Sequence, residues 1–178
     1  MMYTRNGDDG TTGLFGTTKR MQKSSCLIDT LGDVDELVSL LGVCRSHCNI
    51  KKAKDITSAI LEIQECLFIV QAELAGASKS IKQKQINELE SAIKSFEDKT
   101  NIPKNFIIPG STKISSLLDF ARSLSRRVER KVVAIKEIQN ISPHTLVYLN
   151  RLSSILYVLA RYEAFRGGKR EMSPSYAK

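Results

Sequence analysis

The chain has 178 residues, a hydrophobic content of 42% and a formal net charge of +8, which indicate one globular domain with a sizeable core rather than a disordered chain. No apolar run approaches the ~20 residues that a membrane-spanning helix needs. The opening segment MMYTRNGDDG lacks the apolar core of a signal peptide, and the cysteines form no CxxC pair, so we expect a cytoplasmic protein without membrane contact. The positive charge favours an anionic partner without choosing between nucleic acid, phosphate and an acidic surface.

Residues 1–24 form a polar arm that is rich in glycine and threonine and shows no helical periodicity. Its backbone N–H groups and hydroxyls are suited to binding phosphate oxygens. It is not a Walker loop, because no GKS or GKT sequence follows. A flexible terminus and a phosphate-binding arm both fit this composition.

A first helix is predicted over residues 25–48, where apolar side chains recur every three or four residues. Three acids, Asp33, Asp35 and Glu36, lie within one turn of it. They fit a solvated face, and they also fit a helix in which one acid pairs with an arginine of a later helix. The predicted core stripe consists of Leu27, Leu31, Val34, Val38, Leu41 and Cys44.

The end of this helix carries Cys44, His47 and Cys48 within five residues, which resembles a set of metal ligands. A fourth ligand is not evident, so we interpret these cysteines as ordinary buried or half-buried thiols.

Two further helices follow, over residues 55–75 and 82–99. The second helix is apolar on most of its sides, where Phe68 and Ile69 widen the stripe, and this predicts a central, buried position. Gly76 is expected to end it. The third helix has a narrow apolar stripe, so we expect it to cover the outside of the bundle with its lysines in solvent.

The segment 101–110, NIPKNFIIPG, is predicted to be a loop because of Pro103 and Pro109. Phe106, Ile107 and Ile108 are unusually apolar for a connection. They fit a hydrophobic plug beneath the loop, and they also fit an apolar wall for a ligand.

The fourth helix is predicted over residues 111–138, with Ser111 or Thr112 as its N-cap. Beside its apolar stripe lies a row of charged residues. A cation so close to the core needs a carboxylate or an anionic ligand as its partner. The row consists of Arg122, Arg126, Glu129 and Arg130.

The last helix is expected to begin at Ser142-Pro143 and to end at Gly167-Gly168, followed by a basic, frayed tail from 169 to 178. A polar stripe of Asn150, Ser154, Tyr157 and Arg161 runs along it. The fold class is therefore all-α: a single-domain five-helix bundle with a Gly/Thr-rich N-terminal arm and no strand of consequence. The residues alone leave three functions open: binding of a polyphosphate ligand beside an apolar one, binding of nucleic acid, and an adaptor whose arginines bridge subunits.

Four blocks of the chain resemble the PduO-type ATP:cob(I)alamin adenosyltransferases, in the order that this family has them. They are YTRNGDDGTTGLFG at 3–16, LGDVDELVSLLG at 31–42, FIIPGSTKISSLLDFARSLSRRVER at 106–130 and YLNRLSSILYVLARY at 148–162. The resemblance implies a five-helix homotrimer with active sites between subunits. It implies transfer of the 5′-deoxyadenosyl group of ATP to Co(I) of cob(I)alamin or another corrinoid, with release of triphosphate.

The same resemblance implies Mg²⁺ held through the ATP phosphates rather than by protein side chains, a flavin-dependent reductant and an adenosylcobalamin-dependent acceptor enzyme. A nucleic-acid-binding helical bundle and an ATP-binding sensor without turnover remain the alternatives.

The resemblance also implies the site residues. In the catalytic set, Arg126 contacts ATP, Arg122 pairs with Asp35 of a neighbouring subunit, and Phe106 lies beneath the corrin, where it excludes the lower axial base and water. The ATP-binding set is Thr4, Arg5, Asn6, Gly7, Thr12, Gly13, Lys23, Arg126, Arg127, Glu129, Arg130 and Asn150.

Five positions depart from the family pattern and bear on corrinoid contacts and affinity more than on the reaction class. They are Asp9 in place of the lysine of GDKG, Leu27 where arginine is common, Ser111 in PGS instead of PGG, Asp119 where histidine is frequent, and Ser154 in place of the aspartate of NRLSD.

Overall fold

The computed structural model describes residues 3–14, 16, 18–48 and 53–177. The described residues form five α-helices, which confirms the all-α prediction and places every helix end within three residues of the expected position. The helices are α1 (Cys26–His47), α2 (Lys54–Leu74), α3 (Gln83–Glu97), α4 (Lys113–Ile135) and α5 (Pro143–Arg166). Within the described part of the chain, no helix is both long enough and apolar enough to cross a membrane.

The antiparallel pair α4–α5 is the centre of the bundle, with α1 packed on α4, α3 on α5 and α2 on α1. The apolar stripes predicted from the sequence face this centre, although Leu27 and Leu31 of α1 are only partly buried. The stripe of α4 is buried at Ala121, Leu124 and Val128. The charged row beside it therefore lies at the edge of the core.

Side-chain caps fix where the two central helices begin. The Thr112 hydroxyl accepts a hydrogen bond from the Ser115 N–H at 3.0 Å, and the Ser115 hydroxyl accepts one from the Thr112 N–H at 2.9 Å. Ser142 caps α5 in the same manner, with Pro143 at the first helical position. These caps set the register of the side chains that follow on both helices.

Helix α2 is less buried than predicted. Its inner stripe lies in the core, but the Phe68 side chain is 61% exposed, and Leu61 is exposed on the same helix. The prediction of burial on most sides was wrong, because α3 packs against α5 and leaves the outer side of α2 uncovered.

The arm contains a small hairpin, in which β1 (Thr11–Gly13) pairs antiparallel with β2 (Arg20–Gln22). The sequence had predicted no strand here, since three-residue strands are too short to show an alternating pattern. Residues 1–2, 15 and 17 of the arm lie outside the described residues.

The apolar loop and the C-terminal tail also differ from expectation. The Phe106 side chain is 77% exposed and Ile108 is exposed, so the loop does not form a buried plug. The tail is not frayed at its start, because the Ile108 N–H donates to the Met172 carbonyl at 2.8 Å. The tail and the apolar loop are thus in contact at one end of the bundle.

Candidate active site

The arginines of α4 point in different directions. Arg126 and Arg130, one turn apart, are exposed and have no hydrogen bond or ion pair within the described residues. The Arg122 side chain is half-buried. Its Nε atom lacks a hydrogen-bond partner and lies 3.9 Å from Asp119 Oδ1. Arg126 and Arg130 are thus unpaired charges that an anionic ligand would satisfy, and Arg122, held only by a long ion pair, can pair with a carboxylate of another chain.

The adjacent side of α4 carries two cations that α1 already neutralises. Arg127 donates to Asp33 at 3.0 Å and to Glu36, and Lys131 donates to Asp29 at 2.6 Å. The hydrogen bond that Lys131 donates to Asp29 is the main reason why the pKa of Lys131 is raised. The acids of α1 are therefore not simply a solvated face.

The structure consequently separates Arg127 from the face that carries Arg126 and Arg130. At about 100° of rotation per residue, Arg127 lies about 100° from Arg126 and about 60° from Arg130, and its ion pairs with α1 hold it away from both. The predicted contact of Arg127 with ATP would require its ion pairs with Asp33 and Glu36 to rearrange.

A polar chain links α4 to α5 and α3 next to the exposed arginines. Asn150 Nδ2 donates to Glu129 Oε1 at 2.8 Å, and Arg151 Nη1 donates to Asn150 Oδ1 at 2.8 Å. Arg151 Nε in turn donates to Glu90 of α3 at 3.2 Å. The orientation of the Asn150 amide is thereby fixed from both sides.

The arm folds around its own basic residues. Lys23 Nζ donates to the Gly7 carbonyl at 2.7 Å, and Arg20 donates to the Thr11 hydroxyl at 2.7 Å and to the Asn6 carbonyl. The arm leads into α1 at the end where Asp29 meets Lys131 of α4. The hairpin is thus tied to the end of α1 that packs against the C-terminal half of α4.

Asp9, which departs from the family pattern, organises the first turn of this hairpin. Its carboxylate accepts from the Thr11 hydroxyl at 2.7 Å and from the Thr11 N–H at 2.9 Å, and it lies 3.9 Å from Arg20 Nη2. The hydroxyl hydrogen bond is the main reason why the pKa of Asp9 is lowered. The Asp9 carboxylate therefore holds the Arg20 guanidinium next to the first turn of the hairpin.

The remaining predicted arm residues lie in the same unit. The Thr4 hydroxyl accepts from the Asn6 N–H at 3.4 Å, and Arg5 has a positive φ of 61°. Thr12 and Gly13 pair with Met21 and Arg20 across the hairpin.

A second region, at the other end of α4, forms a cavity of about 540 Å³. Phe106 and its loop form one wall, and Asp119 and Arg122 of α4 form another, with Tyr157 and Arg161 of α5 between them. The exposed Phe106 ring stands at the rim, so it is available to a large apolar surface.

The floor of this cavity is a buried ionic cluster that the sequence analysis missed. Arg161 is 2% exposed and Asp119 is 4% exposed, and Arg161 Nη2 donates to Asp119 Oδ2. The Arg161 guanidinium also lies 4.9 Å from the centre of the Tyr157 ring. The predicted polar stripe of α5 is therefore partly an interior one, because Arg161 turns inward to Asp119.

The local signal in the sequence was the i, i+4 spacing of Tyr157 and Arg161, which places the guanidinium beside the aromatic ring. The carboxylates that neutralise Arg161 come from other segments, and no local pattern connects them. Arg20 and Arg151 were missed for the same reason, since each is ordered by residues far away in the sequence.

Asp35 is exposed and has no ion pair within the described residues. Its predicted pairing with Arg122 involves a second copy of the chain and remains a prediction. Among the described residues, no set of three His, Cys, Asp or Glu side chains is placed to hold a metal ion. Cys44 and Cys48 are buried, and His47 is exposed and contacts the Val43 carbonyl.

Comparison with known proteins matches residues 2–163 to the family described as cobalamin adenosyltransferase. The corrinoid adenosyltransferase of Bacillus subtilis strain 168 is 35% identical over 172 residues, which cover 94% of this chain and 88% of that protein. The corrinoid adenosyltransferase of Citrobacter freundii is 36% identical over 169 residues, covering 91% and 94%.

The fold is similar to that of a PduO-type ATP:corrinoid adenosyltransferase variant from Lactobacillus reuteri, solved in complex with cobalamin and ATP. The TM-score is 0.90 at 31% identity, with 98% of this chain and 97% of the other covered.

Proposed function

The chain belongs to the cobalamin adenosyltransferase family, and on that basis we propose that the exposed arginine face of α4 binds the triphosphate of ATP while the Phe106 loop forms the corrinoid side of the site. The reaction is the transfer of the 5′-deoxyadenosyl group of ATP to Co(I) of a reduced corrinoid. The observation that carries this division is the pair Arg126 and Arg130, exposed and unpaired within the described residues, whereas the neighbouring cations Arg127 and Lys131 are neutralised by α1.

The reaction does not require the protein to form a covalent bond with either substrate. Co(I) is itself a strong nucleophile, so the chain need not supply one. It has to hold C5′ of ATP in line with cobalt and to stabilise the negative charge that gathers on the leaving triphosphate. Arginines that are already positioned and unpaired serve the second task, because they need not break an ion pair first.

The polar chain through Asn150 serves the first task. Glu129 and Arg151 hold the Asn150 amide in one orientation, which leaves the network ready to contact the nucleoside. Lys23 and Arg20 of the arm then approach the phosphates from the other side. Arg20 lies 3.9 Å from the Asp9 carboxylate, so its guanidinium stands next to the position where the family has a lysine, although Asp9 offsets its charge.

A magnesium ion fits this site only through the phosphates. The described residues contain no group of three or more His, Cys, Asp or Glu side chains placed to hold a metal, whereas Mg²⁺ commonly binds phosphate oxygens and water with few protein ligands. When bound, Mg²⁺ neutralises part of the triphosphate charge. Arg126 and Arg130 contribute the protein's share.

Assembly completes the proposal. Asp35 and Arg122 each lack a strong partner in one chain, which supports an Asp35–Arg122 pair between subunits of a homotrimer with the site at the interface. The single domain over 1–178, the flavin-dependent reductant, the acceptor enzyme and the cytoplasmic location remain predictions from the sequence.

Two variants test the division of the site. Arg126→Ala should lower kcat/KM for ATP by about two to three orders of magnitude and weaken ATP binding, because an oriented cation on the leaving group is lost. Phe106→Ala should leave the ATP dissociation constant unchanged and impair the reaction when it starts from Co(II) corrinoid. Calorimetric titration with ATP and the corrinoid spectrum give the two readouts.

Lys94→Ala, which removes an exposed cation from α3, serves as the control and should change neither readout. Loss of ATP binding in Phe106→Ala, or its retention in Arg126→Ala, would show that the two regions are wrongly assigned.

A further inference from the structure

The C-terminal tail contributes a carboxylate to the floor of the Phe106 cavity. Glu171 Oε1 lies 2.9 Å from Arg161 Nε, although the two groups are not aligned for a hydrogen bond. Burial raises the pKa of Glu171, and the Arg161 charge opposes that rise. Arg161 is thus enclosed by Asp119 of α4 and by Glu171 of a segment that lies beyond the last helix of the bundle.

The neighbouring residue of the tail holds the Phe106 loop. The Ile108 N–H donates to the Met172 carbonyl at 2.8 Å, and this is the backbone hydrogen bond by which loop 101–110 reaches another segment among the described residues. Glu171 and Met172 therefore contact the bundle and the loop at adjacent positions of one chain.

The loop needs such a tie, because its functional side chain cannot anchor it. The Phe106 ring is 77% exposed, so its own burial contributes little to fixing the loop. The ion pair and the backbone bond join the loop to α5 through two residues of the tail.

We propose that Glu171 is a positioning residue for corrinoid adenosylation: by its contact with Arg161 it docks residues 169–176 against the bundle, and the docked tail holds the Phe106 loop in the orientation that the corrinoid meets. This rests on the role of Phe106 given under the proposed function. It assigns a purpose to Asp119 as well. Asp119 holds the Arg161 guanidinium beside the tail through a charged hydrogen bond. The histidine that is frequent at this position in the family carries no negative charge and could not form this ion pair.

The sequence contains no tryptophan, which permits a direct test of loop position. In Phe106→Trp, the introduced indole is the single fluorophore of its kind and reports on the loop through its anisotropy and its quenching by acrylamide. Adding Glu171→Gln should raise the quenching constant about twofold and lower the anisotropy, because the loop loses its tie. Glu171→Asp should give an intermediate value.

Glu137→Gln, which neutralises an exposed carboxylate on another segment, is the matched control and should leave the indole unchanged. Thermal unfolding of each variant should remain one cooperative transition that lies well above the temperature of the fluorescence measurement, so that loss of the bundle cannot imitate loss of the tail. Equal quenching with and without Glu171→Gln would overturn the proposal.

Turnover separates this proposal from the proposed function. With Phe106 intact, Glu171→Gln should slow the reaction that starts from Co(II) corrinoid about tenfold, while the ATP dissociation constant stays within about twofold. An unaltered indole together with slowed turnover overturns the positioning role and leaves the role of Phe106 standing. A more mobile indole with unaltered turnover supports docking of the tail by Glu171 but overturns its role in corrinoid adenosylation, and the role of Phe106 is then decided by Phe106→Ala alone.

Discussion

At the scale of single residues, the arginines of α4 are chemically alike and are distinguished by their neighbours. Arg126 and Arg130 face outward without partners among the described residues, whereas Arg127 is held by Asp33 and Glu36 of α1. Asp33 is buried, so it depends on its cations. In the proposed site, the same residue type therefore binds ligand at one position and joins two helices at the next.

This contrast predicts opposite phenotypes for neighbouring substitutions. Arg127→Ala should lower the free energy of unfolding by about 1–3 kcal/mol, because buried Asp33 keeps only Lys131 as its partner. Urea unfolding of Arg127→Ala and Arg126→Ala measures the difference, and Arg126→Ala should match the parent protein. Unchanged stability in Arg127→Ala together with lost ATP binding would instead place Arg127 in the nucleotide site.

The cysteines should differ in reactivity according to burial. Burial raises the pKa of Cys44 to about 12 and that of Cys48 to about 11, against an ordinary value of 9.0, whereas Cys26 is exposed. At about pH 8 a thiol with the pKa of Cys48 is ionised in only about one molecule in a thousand. A chromogenic disulfide reagent should therefore react rapidly with Cys26, slowly with half-buried Cys66, and with Cys44 and Cys48 only in denaturant.

The same shifts set a pH dependence of stability. Cys44 and Cys48 ionise near their ordinary value of 9.0 in the unfolded chain, but only at about 12 and 11 in the folded one. Their stabilising contribution is thus complete below pH 9 and is lost as the pH rises from there toward 11 and 12. Rapid reaction of all the cysteines in the native protein would contradict this placement of the thiols.

At the scale of elements, one buried carboxylate joins the end of α2 to the start of α5. Glu73, near the end of α2, accepts from the Ser142 N–H at 2.6 Å and from the Thr145 hydroxyl. Gln139 Nε2 adds a hydrogen bond to the Leu74 carbonyl at 2.9 Å. The N-terminal turn of α5 is thereby capped by another helix as well as by its own Ser142.

Glu73→Gln should destabilise the protein by about 1–3 kcal/mol, because one acceptor oxygen becomes an NH₂ group that faces a donor in a buried place. Chemical denaturation followed by circular dichroism measures the loss. The exposed Glu137→Gln should leave the midpoint unchanged, and an equal midpoint for Glu73→Gln would show that the carboxylate is not the cap.

The helices were predictable because their signals are local. Apolar spacing of three and four residues marks each helix, and Thr112 and Ser142-Pro143 mark two starts. The contacts that were missed are all non-local. Arg161 meets a carboxylate 42 residues earlier, and the tail meets Ile108 across the whole of α4 and α5.

The site, like the fold, was predictable only as far as local sequence motifs reach. Motifs selected the residues of the proposed site, but no motif states which side of a helix faces a neighbour. That is why Arg127 was grouped with Arg126 and Arg130, and why Phe106 was open to two interpretations until its exposure was known.

At the scale of the whole molecule, the proposed trimer should depend on the Asp35–Arg122 pair. Sedimentation should give a species of about 60 kDa, three times the chain mass of 19.9 kDa. Asp35→Arg and Arg122→Asp should each weaken assembly, since each places like charges together at the interface. The double variant should restore it in part, because the opposite charges face each other again.

A trimer that is indifferent to both single variants would show that this pair does not hold the interface. Weakening without rescue would show that each residue acts through other groups, such as Asp119 beside Arg122.

The measurement that tests the central claim most directly is turnover. Purified protein is incubated with ATP, Mg²⁺ and chemically reduced cobalamin, and the corrinoid spectrum is followed alongside the released phosphate species. The structure and the family predict adenosylcobalamin and triphosphate in equal amounts, at a rate far above that of the protein-free mixture and strongly reduced in Arg126→Ala. ATP binding without adenosylcobalamin above the protein-free background would contradict the account and leave an ATP-binding protein without this activity.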